Sequence, residues 1–564
     1  MPNSSPSAAA SAAPVIEPLG DAALVVQLDP DATDSRQRVT ALADRLRANP
    51  LPGVTDVTQA FTALGIFFDP DAIPCGSGGR RHETVAAWVR SSLAMATQAA
   101  AVLPVVHTLP VCFDEAFAPD LPLVAQHAGC GVDEVVQLYC DADYRVGAVG
   151  FAPGFAYLEG LPQGLRVPRR ARPRTRVPAG AVAIGGPYTA VYPNASPGGW
   201  NLIGRCPQKL FDPYADPPGL LQAGDRVRFE PIDRGQLAAT EQGREERPLH
   251  REGRAVLRVA SPGVQSSLQS LGRAGVRQWG VAAGGAMDTA SLRLANELVG
   301  NAPDAVAIES TLVGPVVECL HDVVLGLAGG VTEALGGARR VRLRAGEQLD
   351  LRGLTGARAY VAAPGGFAAE CVLGSADTDL QGGFGGHRGR ALAAGDQLAC
   401  LGELTDSGDP TGWFVPASPR AAATLRIVRH GGIGAVGDLA WRRLLGGEFR
   451  VASESNRMGV RLQGNPIPAD TPGASESRPV APGAVQIPPG GEPIILAADS
   501  QTLGGYPVAG CVAAVDLPIL AQLRPAESLT FREVSLADAE RLYDQVEREL
   551  QAVHAGVREA IRRA

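Results

Sequence analysis

From residue 147 to residue 214 the chain places glycine or proline every few positions, with aromatics and arginines between them at spacings that never repeat. The run opens GAVGFAPGFAYLEGLP (147–162), continues through RRARPRTRVPAG (169–180) and closes on SPGGWNLIGRCPQKLFDPY (196–214). A flexible linker lacks the aromatics, and a low-complexity tract repeats. Glycine admits positive φ and close backbone approach, whereas proline fixes φ and removes a donor. Such a stretch cannot form long helices. It reads as short strands, tightly turned, around a binding surface.

The whole chain is long enough, at 564 residues, for roughly three to five domains. A net charge of −8 gives no footprint for nucleic acid. Lys209 is the only lysine. A phosphate-loop lysine and a biotinyl-lysine are therefore excluded, and cationic work falls to arginine, which suits bidentate anion recognition. Nine cysteines never form C-x-x-C and histidines number eight, so no metal-ligand spacing is found and no metal is expected. Residues 1–14 lack the charged and apolar regions of a signal peptide and read as a disordered tail. No apolar run reaches 18 residues, so no membrane span is expected, and the cytoplasm is the expected compartment.

Residues 15–103 read as a small α/β domain. A strand over 17–28, a helix over 34–48, strands within 56–70 and a helix over 82–100 give a β–α–β–β–α order, which suggests a ferredoxin-like layer. Helices then become scarce. LQAGDRVRF (221–229), LRAGEQLDL (343–351), LAAGDQLAC (392–400) and LRPAESLTF (523–531) each read as a turn with an acid entering a half-buried strand. Their recurrence argues for related β-barrels over 104–235, 255–405 and 420–535, with a polar linker at 236–254. The segment 536–564 follows Ser535-x-x-Asp538 and carries one apolar stripe, as in a C-terminal helix that docks.

Several constellations carry chemistry. GGFGGHRGRAL (382–392) offers His387 beside backbone N–H groups that could form an anion nest, or simply a tight barrel turn. GRAGVRQWGVAAGGAMD (272–288) offers Arg273 and Asp288, the latter as base or as cap of the following helix. The cationic run supplies Arg174 and Arg176, SPGGWNLIGR supplies Asn201 and Arg205, and QTLGGYP (501–507) supplies Gln501 and Tyr506. Trp200 reads as core. GGIGAVG (431–437) contains G-x-G-x-x-G after a strand and before a helix, but no run of βαβ units surrounds it, which argues against a dinucleotide site.

GFAPGFAYLEGLP, RTRVPAG and SPGGWNLIGRCPQKLFDP resemble the allophanate-hydrolase subunit 1 family, the B subunit of bacterial 5-oxoprolinase. GVQSSLQSLGRAGVRQWGVAAGGAMDTASLRLANELVGN (263–301), VLGSADTDLQGGFGGHRGRAL (372–392), SNRMGVRL (455–462) and QTLGGYPVAG (501–510) resemble the subunit 2 family, the C subunit of the same enzyme. The resemblance implies a natural fusion of the two. Its implied fold is mainly β within an α+β class, the ferredoxin-like domain being followed by three cyclophilin-like barrels. Its implied activity is ATP-dependent opening of 5-oxoproline to glutamate, with ATP and Mg2+, a separate A subunit and a small lactam or amide as substrate; self-association is left open. On that reading His387, Asp288 and Arg273 are catalytic, and Arg174, Arg176, Asn201, Arg205, Gln501 and Tyr506 bind substrate or ATP. Two alternatives share the modules: a biotin-dependent carboxyltransferase and a regulator of a sensor histidine kinase. The family's usual residues differ at Tyr139, Ser270 and Val508.

Overall fold

The computed structural model describes residues 13–75, 79–96, 104–241, 253–331, 337–404, 415–416, 423–432, 434–468 and 476–563. The first unit comprises β1 (Val15–Pro18), β2 (Ala23–Gln27), α1 (Ser35–Ala48), β3 (Val54–Ala60), β4 (Ala63–Phe68) and α2 (Arg81–Ala96). The expected single strand over 17–28 is instead a hairpin, because Gly20 takes a positive φ of 77° and Leu19 N–H bonds to the Ala23 carbonyl. Val39, Leu42, Ala43 and Leu46 of α1 are buried in this unit's core, as their helical spacing predicts.

This unit is not freestanding. Its strands run in the order β1-β2-β4-β3, and Ala60 of β3 pairs with Ala148, so one eleven-stranded sheet continues into the next module. There Tyr144–Val149, Ala156–Glu159, Tyr188–Val191, Ala181–Gly185 and Asn201–Arg205 pair in succession. Arg226–Pro231 pairs with Tyr144–Val149 and, in parallel, with Val106–Val111. Cys112 and Arg205 exchange both backbone hydrogen bonds, at 2.8 and 2.9 Å, and so bring the ring of strands round on itself.

The last module repeats that circular order. Ala423–Arg429, Val508–Val512, Ala484–Gln486, Ile494–Leu496, Gly459–Gln463, Glu448–Val451 and Ser528–Glu533 form a closed barrel. In both rings the first strand lies parallel to the last and every other pairing is antiparallel. The middle module departs from the expectation of a third barrel. Among the described residues it is two sheets, of four and six strands, over a core that includes Leu257, Leu325 and Phe367.

The four turn–strand repeats all enter strands, and they share one mechanism. The acid of each, Asp225, Glu347, Asp396 or Glu527, accepts the backbone N–H three residues earlier at 2.7–2.8 Å. The expected linker begins as a helix, Arg234–Glu241, and its residues 242–252 lie outside the described residues, as do residues 1–12 of the expected tail. The C-terminal helix, Leu536–Arg563, lies across the body. Its Glu540 and Tyr543 bond to His82 and Asp71 of the first unit, and its Glu547 and Arg558 pair with Arg293 and Glu297 of the middle module.

Candidate functional site

In the first half, most of the polar candidates hold the fold together. Arg174, on the short strand Arg174–Val177, lies 2.9 Å from Asp120. The same carboxylate takes Arg170 at 2.9 Å and the Leu202 N–H at 2.7 Å. Asn201 is buried and donates to the carbonyls of Pro168 and Ile184 at 2.9 and 3.3 Å. Arg205 stacks its guanidinium 5.8 Å from the Phe117 ring centroid, whereas Arg176 is exposed. Trp200 is core, within a cluster of Phe61, Phe155, Tyr157 and Tyr192.

The three catalytic candidates of the second half are not assembled. No hydrogen bond or ion pair among the described residues joins any two of Arg273, Asp288 and His387. Arg273 is buried with its guanidinium over Phe384, 5.1 Å from the ring centroid, and donates to the Asp377 carbonyl. Asp288 caps the helix Thr289–Glu297: its side chain accepts from the Ser291 N–H at 2.9 Å and from Gln522 at 2.7 Å. Burial pushes its pKa up, but its oxygens are occupied by the cap. His387 faces Asp396 at 3.4 Å, and Arg390 grips the same carboxylate at 2.7 and 2.8 Å. The glycine loop at 382–389 is therefore tied to the acid of a turn repeat. Burial lowers the His387 pKa, and Asp396 opposes that shift.

The glycines meet across the two halves. A side chain on Gly150 would run into Leu503, and one on Gly280 into the Ala152 carbonyl. Gly154 donates its N–H to Trp279 at 2.8 Å. Between them Arg277 is fully buried, 4.0 Å from the Phe67 ring centroid, donating to Val480 at 2.7 Å while its backbone N–H reaches Asp56 at 2.9 Å. One arginine thus contacts both halves. Sequence reasoning took these loops as ligand surfaces because glycine admits any close approach, including that of another protein segment.

It also missed a buried ionic network. Arg457, in the SNRMGVRL motif, bonds to Asp499 at 2.7 and 2.8 Å, to the Gly285 carbonyl at 2.7 Å, and to Glu309. Glu309 in turn accepts from Tyr360 at 2.7 Å and from the Met287 N–H at 2.8 Å. Burial opposes ionisation of Glu309, yet Arg457 and Arg358 hold its pKa below the usual value. The network fixes the glycine loop 284–287 against the last barrel. Arginine within SNRMG was the available signal, since an arginine must find partners when buried.

One cleft brings groups from both halves together. Val15, Glu17, Val25 and Gln27 of β1 and β2 face His430, Arg478, Tyr506 and Val508 of the last barrel. Gly434 of the GGIGAVG run lines it, and the glycines at 432 and 434 have a steric reason: a Cβ on Gly432 would meet the Glu17 carboxylate, and one on Gly434 the Arg478 guanidinium. The same point beside Gly432 lies 3.1 Å from the His430 ring, so carboxylate and imidazole are neighbours. Tyr506 is exposed here and Gln501 half-buried nearby in sequence. Among the described residues no cluster of three metal-ligating side chains is found, and no helix is long and apolar enough to cross a membrane.

The carboxyltransferase domain model for subdomains C and D matches residues 14–221, and that for subdomains A and B matches 279–533. The chain is 40% identical over 223 residues to the 5-oxoprolinase B subunit of Escherichia coli O157:H7, covering 38% of this chain and 95% of that protein. It is 36% identical over 296 residues to the 5-oxoprolinase C subunit of Escherichia coli strain K12, covering 50% of this chain and 93% of that one. The crystal structure of TTHA0988 superposes with a TM-score of 0.76 at 34% identity, covering 90% of this chain and 99% of that one.

Proposed function

Because this chain belongs to the carboxyltransferase-domain family, with a homologue of the 5-oxoprolinase B subunit followed by a homologue of its C subunit, we propose that it is the B–C component of an ATP-dependent 5-oxoprolinase. It would act in the cytoplasm with a separate A subunit and open 5-oxoproline to glutamate. The observation that carries the reading is the interlock of the two halves through Gly150, Gly280 and Arg277, which makes one preassembled body of the two homologues. The two rings of matching strand order support cyclophilin-like barrels in the first and last modules.

The chemistry explains the need for ATP. An unstrained lactam is a poor electrophile, and phosphorylating its oxygen creates a leaving group; negative charge on oxygen must then be stabilised by arginine or backbone N–H groups. The glycines at 150, 280, 432 and 434 face Leu503, the Ala152 carbonyl, Glu17 and Arg478 rather than open space. We assign ATP to the A subunit or its interface with this chain. The roles given to Arg174 and Asn201 pass to the fold, and Tyr506 is retained for the substrate.

The test is glutamate release from 5-oxoproline. The purified chain alone is expected to release none, and the chain with A subunit and ATP to release it. Turnover by the chain alone, or none with the complete set, would overturn the reading. Carboxyl transfer would instead require a biotinylated carrier, and kinase regulation would show binding to a histidine kinase without turnover.

A further inference from the structure

Gly284, in the loop between Arg273 and the helix capped by Asp288, has a left-handed φ of 69°. Gly150 and Gly280 back onto a leucine and a carbonyl, but Gly284 opens on two opposite charges. A Cβ built on it would lie 3.0 Å from Arg273 Nη1 and 3.9 Å from Asp499 Oδ1, and within 4 Å of nothing else among the described residues beyond its own chain neighbours. Arg273 is 5% exposed, and it donates from Nη2 to the Asp377 carbonyl and from Nε to the Val372 carbonyl at 3.5 Å. Its Nη1 has no hydrogen bond or ion pair among the described residues. Asp499 follows the strand Ile494–Leu496 of the last barrel, and Arg457 grips both its oxygens at 2.7 and 2.8 Å. That grip fixes the carboxylate and leaves Oδ1 a second lone pair.

Arg273 and Asp499 come from two modules and do not bond to each other among the described residues, yet both reach the open point beside Gly284. A bare anion at that point is drawn to Arg273 and repelled by Asp499, and a bare cation meets the reverse. A neutral group with an acceptor and an N–H donor on one edge satisfies both, through hydrogen bonds strengthened by charge on the protein side. An amide has such an edge only when its C=O and N–H lie on the same side. A ring holds a secondary amide cis and creates that edge, whereas an open-chain secondary amide strongly prefers trans and turns the two groups apart.

We propose that Arg273 and Asp499 form a seat for the same-side edge of an amide, Arg273 Nη1 donating to its oxygen and Asp499 Oδ1 accepting its N–H. The proposal rests on the lactam-opening reading above and deepens it. It adds Asp499, which the sequence motifs did not single out, and it makes the geometry of the amide, rather than any other group on the molecule, the feature this seat reads. Arg273 then stands where negative charge gathers on the amide oxygen, the position at which a fixed cation stabilises most.

The experiment is calorimetric titration of the full chain with 5-oxoproline and with N-acetylglycine, which carries a carboxylate and a secondary amide but in an open chain. The wild type is expected to bind 5-oxoproline about tenfold or more tightly than N-acetylglycine, the scale of leaving one charged partner unpaired. Gly284→Ala puts a methyl group at the shared point and should weaken 5-oxoproline by about tenfold or more. Gly346→Ala is the control: it carries similar left-handed strain at a φ of 88°, where a Cβ meets nothing within 4 Å, and should change neither affinity. Asp499→Asn and Arg273→Gln should each narrow the preference. Equal binding of the two compounds, no measurable binding of 5-oxoproline, or unchanged 5-oxoproline affinity in Gly284→Ala overturns the proposal. If Gly284→Ala does not fold, Asp499→Asn and Arg273→Gln decide in its place, and an unchanged preference in whichever of them folds overturns the proposal. The two readings fail separately. Glutamate formed with A subunit and ATP but no preference removes the amide seat alone, and a preference lost in Gly284→Ala without glutamate formation in the wild type removes the oxoprolinase reading alone.

Discussion

The fourth residue of each turn repeat must adopt a left-handed backbone for the acid behind it to reach back. Gly224, Gly346 and Gly395 do so at φ of 103°, 88° and 92°, but the fourth repeat uses Ala526 at 70°. A Cβ costs about 1 kcal/mol in this region. Ala526→Gly is therefore expected to stabilise the chain by about 1 kcal/mol, and Gly346→Ala, where a Cβ would meet nothing within 4 Å, to destabilise it by about the same; denaturant titration measures both. The turn at Asp396 also decides between two readings of its neighbours. Arg390→Ala removes a bidentate pair and is expected to lower the melting temperature more than His387→Ala does, with turnover largely kept in the latter. A fall in turnover at unchanged melting temperature would return His387 to the chemistry.

At the scale of elements, the β1–β2 turn docks on the last barrel through Asp21, whose carboxylate accepts the Ala514 N–H at 3.0 Å. Burial pushes the Asp21 pKa up to about 6, against an opposing hydrogen bond from Ala514. A carboxyl whose pKa is raised on folding binds more protons in the folded state. Its contribution to stability is full below the unfolded value near 3.8 and is lost as pH rises through about 6. Asp21→Asn removes this term. The stability of the variant relative to wild type is expected to rise between pH 4 and pH 7, and a difference independent of pH would show that the carboxylate is solvated in the folded chain.

For the whole molecule, the seam between the halves is tight enough that single methyl groups matter. Gly280 has a positive φ of 74° and backs onto the Ala152 carbonyl, so Gly280→Ala combines backbone strain with overpacking. It is expected to cost about 2 kcal/mol or more. If the seam holds the two homologues together, separately produced halves should still co-elute as a complex, and Gly280→Ala should weaken that association by more than tenfold. Fusion supplies effective concentration, and the seam supplies the contact.

Local chemistry was legible in the residues alone. The turn repeats, the α1 stripe, the Asp288 cap and the C-terminal helix all follow from interactions spanning a few positions, so short patterns determine them. The resemblance carried the order of the two homologues for the same reason, being written in contiguous motifs. Three things were settled only by folding. Glycine states that something comes close, and the partner proved to be the other half at Gly150 and Gly280, and two ionisable side chains at Gly432 and Gly434. The middle module has the same turn–strand repeat as the barrels, yet its strands form two sheets because pairing partners are chosen across long separations. Glu17 and Arg478 lie 461 positions apart in the sequence, and no local pattern could bring both to the lining of one cleft; only the packing of β1–β2 on the last barrel did.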